Sequence, residues 1–433
     1  MGDIPTVNQK TEREAHVSIE MVNSITGMLR SLPALSSKCC IYRVPERLRE
    51  VNLKAYKPTV VSIGPFHHGE KHLQPMEEHK LRYLQTFLNR TERSLEDYLK
   101  IVRTWEEKAR HYYAETIELS SEEFVTMILV DGSFVVELLL RFYFPQLREK
   151  NDRIFHKPWM ITDVSNDMML LENQFPFFVL EGLFNLVSAS IKEGNPTLLE
   201  VTHEHFKYLL KINELPKTFS NPGIKHFLDF IRNCYLSSFP RVHCESERTA
   251  IYECPPSVTK LHEAGVKFKM GTSCSLLDVK FTHGILEIPH LKIEDNTETL
   301  FRNLIAFEQC HCTDKYISHY MFLLDGMVNT SKDVDLLGQY RIITSMLGSS
   351  KEVSVLFNSI CKNVISGEEF YFSTLCRDLN AYCRAPQHKW KATLKRDYCN
   401  TPWRVLSIFA GLILLVLTLI QAVCSLISVP RGP

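Results

Sequence analysis

A mainly α-helical fold with a small antiparallel β-meander and one C-terminal transmembrane helix is what this sequence predicts. Apolar residues recur at helical spacing through most of its 433 residues. Short, β-branched, glycine-punctuated segments cluster near residues 264–295. The stretch 405–429 holds no charged residue and is almost wholly apolar.

Residues 1–40 form a polar leader. MGDIPTVNQKTEREAHVSIE lacks the apolar centre of a signal peptide, and Ile19, Val22, Ile25 and Leu29 mark one short amphipathic piece. Met1-Gly2 with Thr6 matches the loose myristoylation pattern. Residues 41–398 are expected to form one mostly helical domain. IYRVPERLREVN predicts an extended start, with Pro45 opening a short helix. TVVSIGPFHHGEKHLQP then predicts a strand-like apolar run, a turn at Gly64-Pro65 and an exposed polar loop.

Leu81, Leu84, Phe87 and Leu88 share one helical face, and Leu95, Leu99, Val102, Ala109 and Tyr113 another. Ser120 and Glu123 form a capping box before an apolar helix through residue 144. That helix is apolar nearly all round, which places it in the core, and Asp131 and Glu137 interrupt it. Pro176 breaks the next apolar run after Gln174. Helices are expected over about 199–212 and 223–237, and then the β-meander at about 264–295. Helix returns with TETLFRNLIAFEQCH and continues through SKDVDLLGQYRIITSML, with Gly348 as a terminator.

Residues 403–428 are read as the transmembrane helix and 429–433 as a short tail. At about 1.5 Å rise per residue the run matches a hydrocarbon core of about 30 Å. Trp403 stands where an indole prefers the interface, and Gly411 and Ala410 permit close helix packing. Lys389, Lys391, Lys395, Arg396 and Arg404 precede the run and only Arg431 follows it. The bulk of the chain is therefore expected on the cytoplasmic side of a plasma membrane or endomembrane. Glycans on the sequons at Asn89 or Asn329 would reverse that orientation. Cys399, beside the span, is a candidate for acylation.

Composition narrows the function. With 50 acidic and 50 basic residues there is no basic surplus, which argues against nucleic acid. The 13 cysteines include Cys234, Cys244, Cys254 and Cys274, whose spacing is not that of a zinc knuckle, and reduced thiols are expected. His67, His68, Glu70, His72 and His79 make the densest polar cluster. Histidine and carboxylate ligate metals, yet the i, i+4 pairing of a zinc protease helix is missing, so no metal is assigned. Asp167, Glu172, Asn173 and Gln174 form a polar block between apolar runs. They suit either acid–base chemistry or satisfaction of backbone groups around Pro176, and the second reading is favoured. Glu308 and Gln309 raise the same question. Cys310, His311 and Cys312 are successive, and on a helix they point apart. No catalytic residue and no cofactor is assigned. There is no phosphate loop, nucleophile elbow or kinase set.

Several segments occur in a fixed order: IYRVPERLRE, AYKPTVVSIGPFHHGEKHLQPMEEHK, DGSFVVELLL, DMMLLENQFPFFVL, AGVKFK, LDVKFTHGILEIPHL, LFRNLIAFEQC and TPW before an apolar tail. This series resembles the plant family known as domain of unknown function 247, from about Cys40 to the C-terminus. Phe66 stands where that family's Gly-Pro-aromatic motif leads one to expect tyrosine, and Cys399 where an aromatic is expected. The resemblance implies a plant protein with a single C-terminal span. It implies no reaction and no ligand residues. The association of some grass members with pollen-side self-incompatibility suggests recognition or signalling roles. The expectation is a membrane-tethered interaction or signalling protein with protein partners. The alternative is a membrane-anchored enzyme using the loop at 67–79 or the block from Asp167 to Gln174.

Overall fold

The computed structural model describes residues 19–31, 36–91, 93–191, 194–210, 215, 223–236, 253–273, 275–367, 369–385 and 402–427. The chain divides into two units, Met1–Cys39 and Cys40–Pro433. In the first, helix α1 (Ile19–Ser31) exposes Val22, Ile25 and Leu29 of the amphipathic stripe in the sequence.

The second unit begins with α2 (Glu46–Arg49), behind Pro45, then α3 (Gln74–Arg90), α4 (Leu95–Arg110) and α5 (Ser121–Tyr143). Helix α5 is the core. Ser120 and Glu123 cap it reciprocally, and Phe124, Phe134 and Leu138 through Leu140 are fully buried. Its three buried charged residues face partners rather than water. Asp131 meets Lys80 at 2.7 Å, Glu137 meets Arg90 at 2.9 Å, and Arg141 meets Asp152 at 2.6 Å. Burial opposes the Lys80 ammonium, but Asp131 and Glu77 outweigh it and raise its pKa.

Helices α6 (Arg153–His156), α7 (Pro158–Asp167), α8 (Phe177–Ser188), α9 (Leu198–Leu210) and α10 (Phe227–Leu236) follow. Helix α8 starts right after Pro176, as the break in the sequence predicts. Helix α11 (Val258–Glu263) leads into strands β1 (Lys267–Gly271), β2 (Lys280–Thr282), β3 (Ile285–Pro289) and β4 (Leu291–Ile293). Helices α12 (Thr297–Cys310), α13 (Tyr316–Met327) and α14 (Ser331–Gln339) come next, then β5 (Ile343–Ser345), α15 (Ser350–Ile360), α16 (Ser373–Arg384) and α17 (Pro402–Ile427).

The structure corrects four expectations. First, the strands do not form an antiparallel meander. Only β2 and β3 are antiparallel, joined through His283 and Gly284, both at positive φ, the two-residue turn that matches strand twist. β1 pairs with β3 in parallel, giving the order β1-β3-β2, and β4 pairs in parallel with the distant β5. Alternation in sequence marks strands but leaves their direction to the connections. Second, residues 331–347 are not one helix. Arg341 at φ 57 turns the chain after α14, and β5 follows well before Gly348. Third, the strand-like run at 59–63 joins no strand. Its amides are taken by side chains, as described below.

Fourth, the transmembrane helix is not supported. Among the described residues no helix is long and apolar enough to cross a membrane. Leu412 through Leu417 are exposed, and Gly411 has nothing within 4 Å of where a Cβ would stand. Trp403 falls in α17 with its side chain outside the described set, and Cys399 lies outside the described residues.

Candidate functional site

The two polar segments of the sequence meet. Residues 58–68 run through the protein without regular structure, and a buried irregular segment must find partners for every amide. Side chains from α7 and the turn after it supply most of them. Asp167 accepts from the amides of Thr59 at 2.9 Å, Val60 at 2.7 Å and Val61 at 2.9 Å, and from the Thr59 hydroxyl at 3.3 Å. Asn173 accepts from the Ile63 amide at 2.7 Å and donates to the carbonyls of Val61 and Asp167. Asp131 takes the Gly64 amide at 2.9 Å. Gln174 donates to the Met168 and Leu170 carbonyls and accepts from the Leu228 amide. Asn303 of α12 closes the set, accepting from the Leu171 amide and donating to the Ala55 carbonyl.

Gly64 is required here. At φ +77 a Cβ would lie 2.9 Å from the Gln174 carbonyl oxygen. Burial raises the Asp167 carboxyl to about 6, against the pull of the three amides.

Glu172 is the centre of a second group. It accepts from the Val44 amide at 2.8 Å and from Arg49 at 2.5 Å, and Arg43 Nη1 lies 3.6 Å from its other oxygen. His67 Nε2 faces that same oxygen at 3.7 Å, beyond hydrogen-bond reach, and has no hydrogen-bond partner. His67 Nδ1 is held by Glu70 at 2.7 Å. Burial alone would raise the Glu70 carboxyl, but the His67 hydrogen bond and the neighbouring histidines hold it below its ordinary value.

The loop expected to be exposed is therefore split. His67 is buried at 4% exposure, whereas His68 and His72 are exposed. His72 bonds the Pro58 carbonyl at 3.1 Å. His67, His68 and His72 do not converge, and among the described residues no group of three or more His, Cys, Asp or Glu could hold a metal ion.

Above this buried layer opens a cleft of ≈ 540 Å³, lined in part by Arg43, Pro65, Phe66, Glu115, Glu118 and Glu123. The Gly64-Pro65 turn delivers Phe66 to its floor, where the ring packs edge-on against Tyr113 at 5.5 Å. The Arg43 guanidinium lies 4.6 Å above the Phe66 ring and pairs with Glu115 at 2.8 Å. Sequence reasoning missed Arg43, Arg49 and Glu115. The signal was two arginines flanking Pro45 at the start of the domain.

The remaining candidates are structural by their partners. Glu308 accepts from Arg232 at 2.9 Å, from the amides of Ile317 and Ser318, and from the Ser318 hydroxyl. Gln309 accepts from Arg47 and bridges to Ile365. Cys310 ends α12. His311 sits between Lys225 at 2.5 Å and Tyr42 at 3.1 Å, and burial with Lys225 and Arg232 lowers its pKa to about 4. Burial pushes the Cys312 thiol up to about 12, against the pull of Arg232.

A UPF0481 protein of Arabidopsis thaliana is 31% identical to this chain over 417 residues, covering 90% of the chain and 87% of the relative. A second UPF0481 protein of the same plant is 23% identical over 479 residues, covering 88% and 89%. No solved structure matches. The profile of a family described as plant protein of unknown function spans residues 41–417, from the arginines beside Glu172 to the apolar helix, and the chain belongs to that family, domain of unknown function 247.

Proposed function

We propose that this protein is an interaction module that docks a partner polypeptide in the cleft at the Gly64-Pro65-Phe66 turn. The observation that carries the reading is a division of labour. Asp167, Asn173, Gln174 and Glu172 are spent on backbone amides and carbonyls or on arginine, which leaves them no role in acid–base chemistry. The cleft beside them is open and charged, and its lining holds no histidine and no thiol. Such a surface suits recognition better than catalysis.

The enzyme reading draws on one observation, the approach of His67 to Glu172. Both lie under 5% exposed beneath Arg43, and Glu172 is already committed to Arg49 and Val44. Proximity labelling in plant cells tests the docking reading. Thr116→Trp fills the cleft from its exposed rim. The variant is expected to lose a subset of neighbours while keeping the circular dichroism of the parent. Identical neighbour sets would refute the reading.

A further inference from the structure

We propose that the cleft is an arginine-recognition site whose resident occupant is the chain's own Arg43, so that a partner's arginine binds by displacing it. The proposal rests on the docking reading above and names the partner's chemistry.

Arg43 already displays the complete set of contacts that a guanidinium seeks. Its Cζ lies 4.6 Å over the Phe66 ring, its Nε donates to Glu115 at 2.8 Å and its Nη2 to the Phe66 carbonyl at 3.4 Å. An aromatic face, a carboxylate and a carbonyl form a planar recognition site suited to arginine more than to lysine. The occupancy is loose. The Arg43 side chain is 39% exposed and its partner Glu115 50%, and exposed pairs of this kind hold weakly.

Displacement leaves nothing stranded. Glu172, the buried carboxylate 3.6 Å from Arg43, keeps Arg49 at 2.5 Å and the Val44 amide at 2.8 Å. The cleft also holds more negative charge than Arg43 neutralises. Glu115, Glu118 and Glu123 line it against one guanidinium, and Glu118 has no ion pair among the described residues. An incoming arginine that takes the place of Arg43 gains Glu118 as a further carboxylate, with which Arg43 makes no ion pair.

The test uses the full-length protein and a fluorescein-labelled, acetylated and amidated peptide with spaced arginines. Its lysine and citrulline versions serve as controls, read by fluorescence anisotropy at low and moderate salt. The expected order is arginine over lysine, with citrulline not binding. Glu118→Gln should weaken the arginine peptide by about fivefold, the scale of one partly exposed charge pair. Arg43→Gln should tighten it by a similar factor, because the competitor is gone; a purely structural Arg43 would leave binding unchanged or weaker. If Arg43→Gln fails to fold, Glu118→Gln still decides, since it breaks no described contact. Equal binding of the citrulline peptide, or indifference to Glu118→Gln, would overturn the proposal. So would a peptide that does not bind while the Thr116→Trp variant still loses neighbours; in that case the cleft docks something other than arginine and the broader reading survives.

Discussion

Residues in this protein are shared between backbone and charge, and their titration follows. Asp167 stands at about 6 because burial outweighs its amide donors. The folded form therefore takes up a proton before the unfolded chain does. At neutral pH the ionised group costs folding about 3 kcal/mol relative to a neutral one, regained as pH falls from 6 towards 4. His205 and His226 act oppositely. Burial depresses both to about 3, so the unfolded chain binds their protons first and stability drops below about pH 6.5, by about 1.4 kcal/mol per pH unit for each group. Urea midpoints measured from pH 7 to 4.5 should show the difference between parent and Asp167→Asn changing only across the Asp167 window. A constant difference would mean that its carboxylate keeps an ordinary pKa. The sequence shows the polar block and points to a backbone role for it, but no pattern in the chain names Thr59 to Val61 as the recipients, because those contacts span more than a hundred residues.

Helices and turns were more legible. The capping box at Ser120 and the break at Pro176 are local chemistry, complete within a few residues, and both stand where the sequence puts them. Ser120→Ala should cost about 1 kcal/mol in a denaturation experiment, the usual worth of an N-cap. Packing of α5 on α8 depends on Gly132, where a Cβ would meet Leu183 Cδ1 at 2.5 Å and the Phe175 ring at 3.5 Å. Gly132→Val should destabilise by about 1–3 kcal/mol through overpacking, and a neutral result would show that the crossing can open. The run at 59–63 has the pattern of a strand because apolar, β-branched residues suit any buried extended backbone. Whether a strand or a set of side chains takes the amides is settled only where the chain comes to rest.

At the scale of the molecule, charged groups inside α5 organise the packing of α3 against it. Removing Lys80 alone, as Lys80→Met, leaves the buried Asp131 charge with only the Gly64 amide and should cost about 3–5 kcal/mol, whereas Lys80→Met with Asp131→Asn, which removes the charge and keeps an acceptor for that amide, should recover most of that loss. Helix α17 stands apart in the opposite sense. With its described side chains exposed, a chain ending at residue 385 should keep its thermal midpoint within about 2 °C, and a larger drop would reveal contacts that the exposures do not register.

The sequence by itself determined the helical class, the core helix with its cap, the kink at Pro176 and membership in a plant family, because periodicity, capping and ordered motifs are properties of neighbouring residues. Tertiary structure decided the rest. It made β1 and β4 parallel to distant partners, gave the amides of 59–64 to Asp167, Asn173 and Asp131, and buried His67 against Glu172. It also set Arg43 over Phe66 in the lining of a cleft. Each of these joins residues far apart in the chain, and such contacts follow from how the whole core closes, which local sequence pattern does not encode.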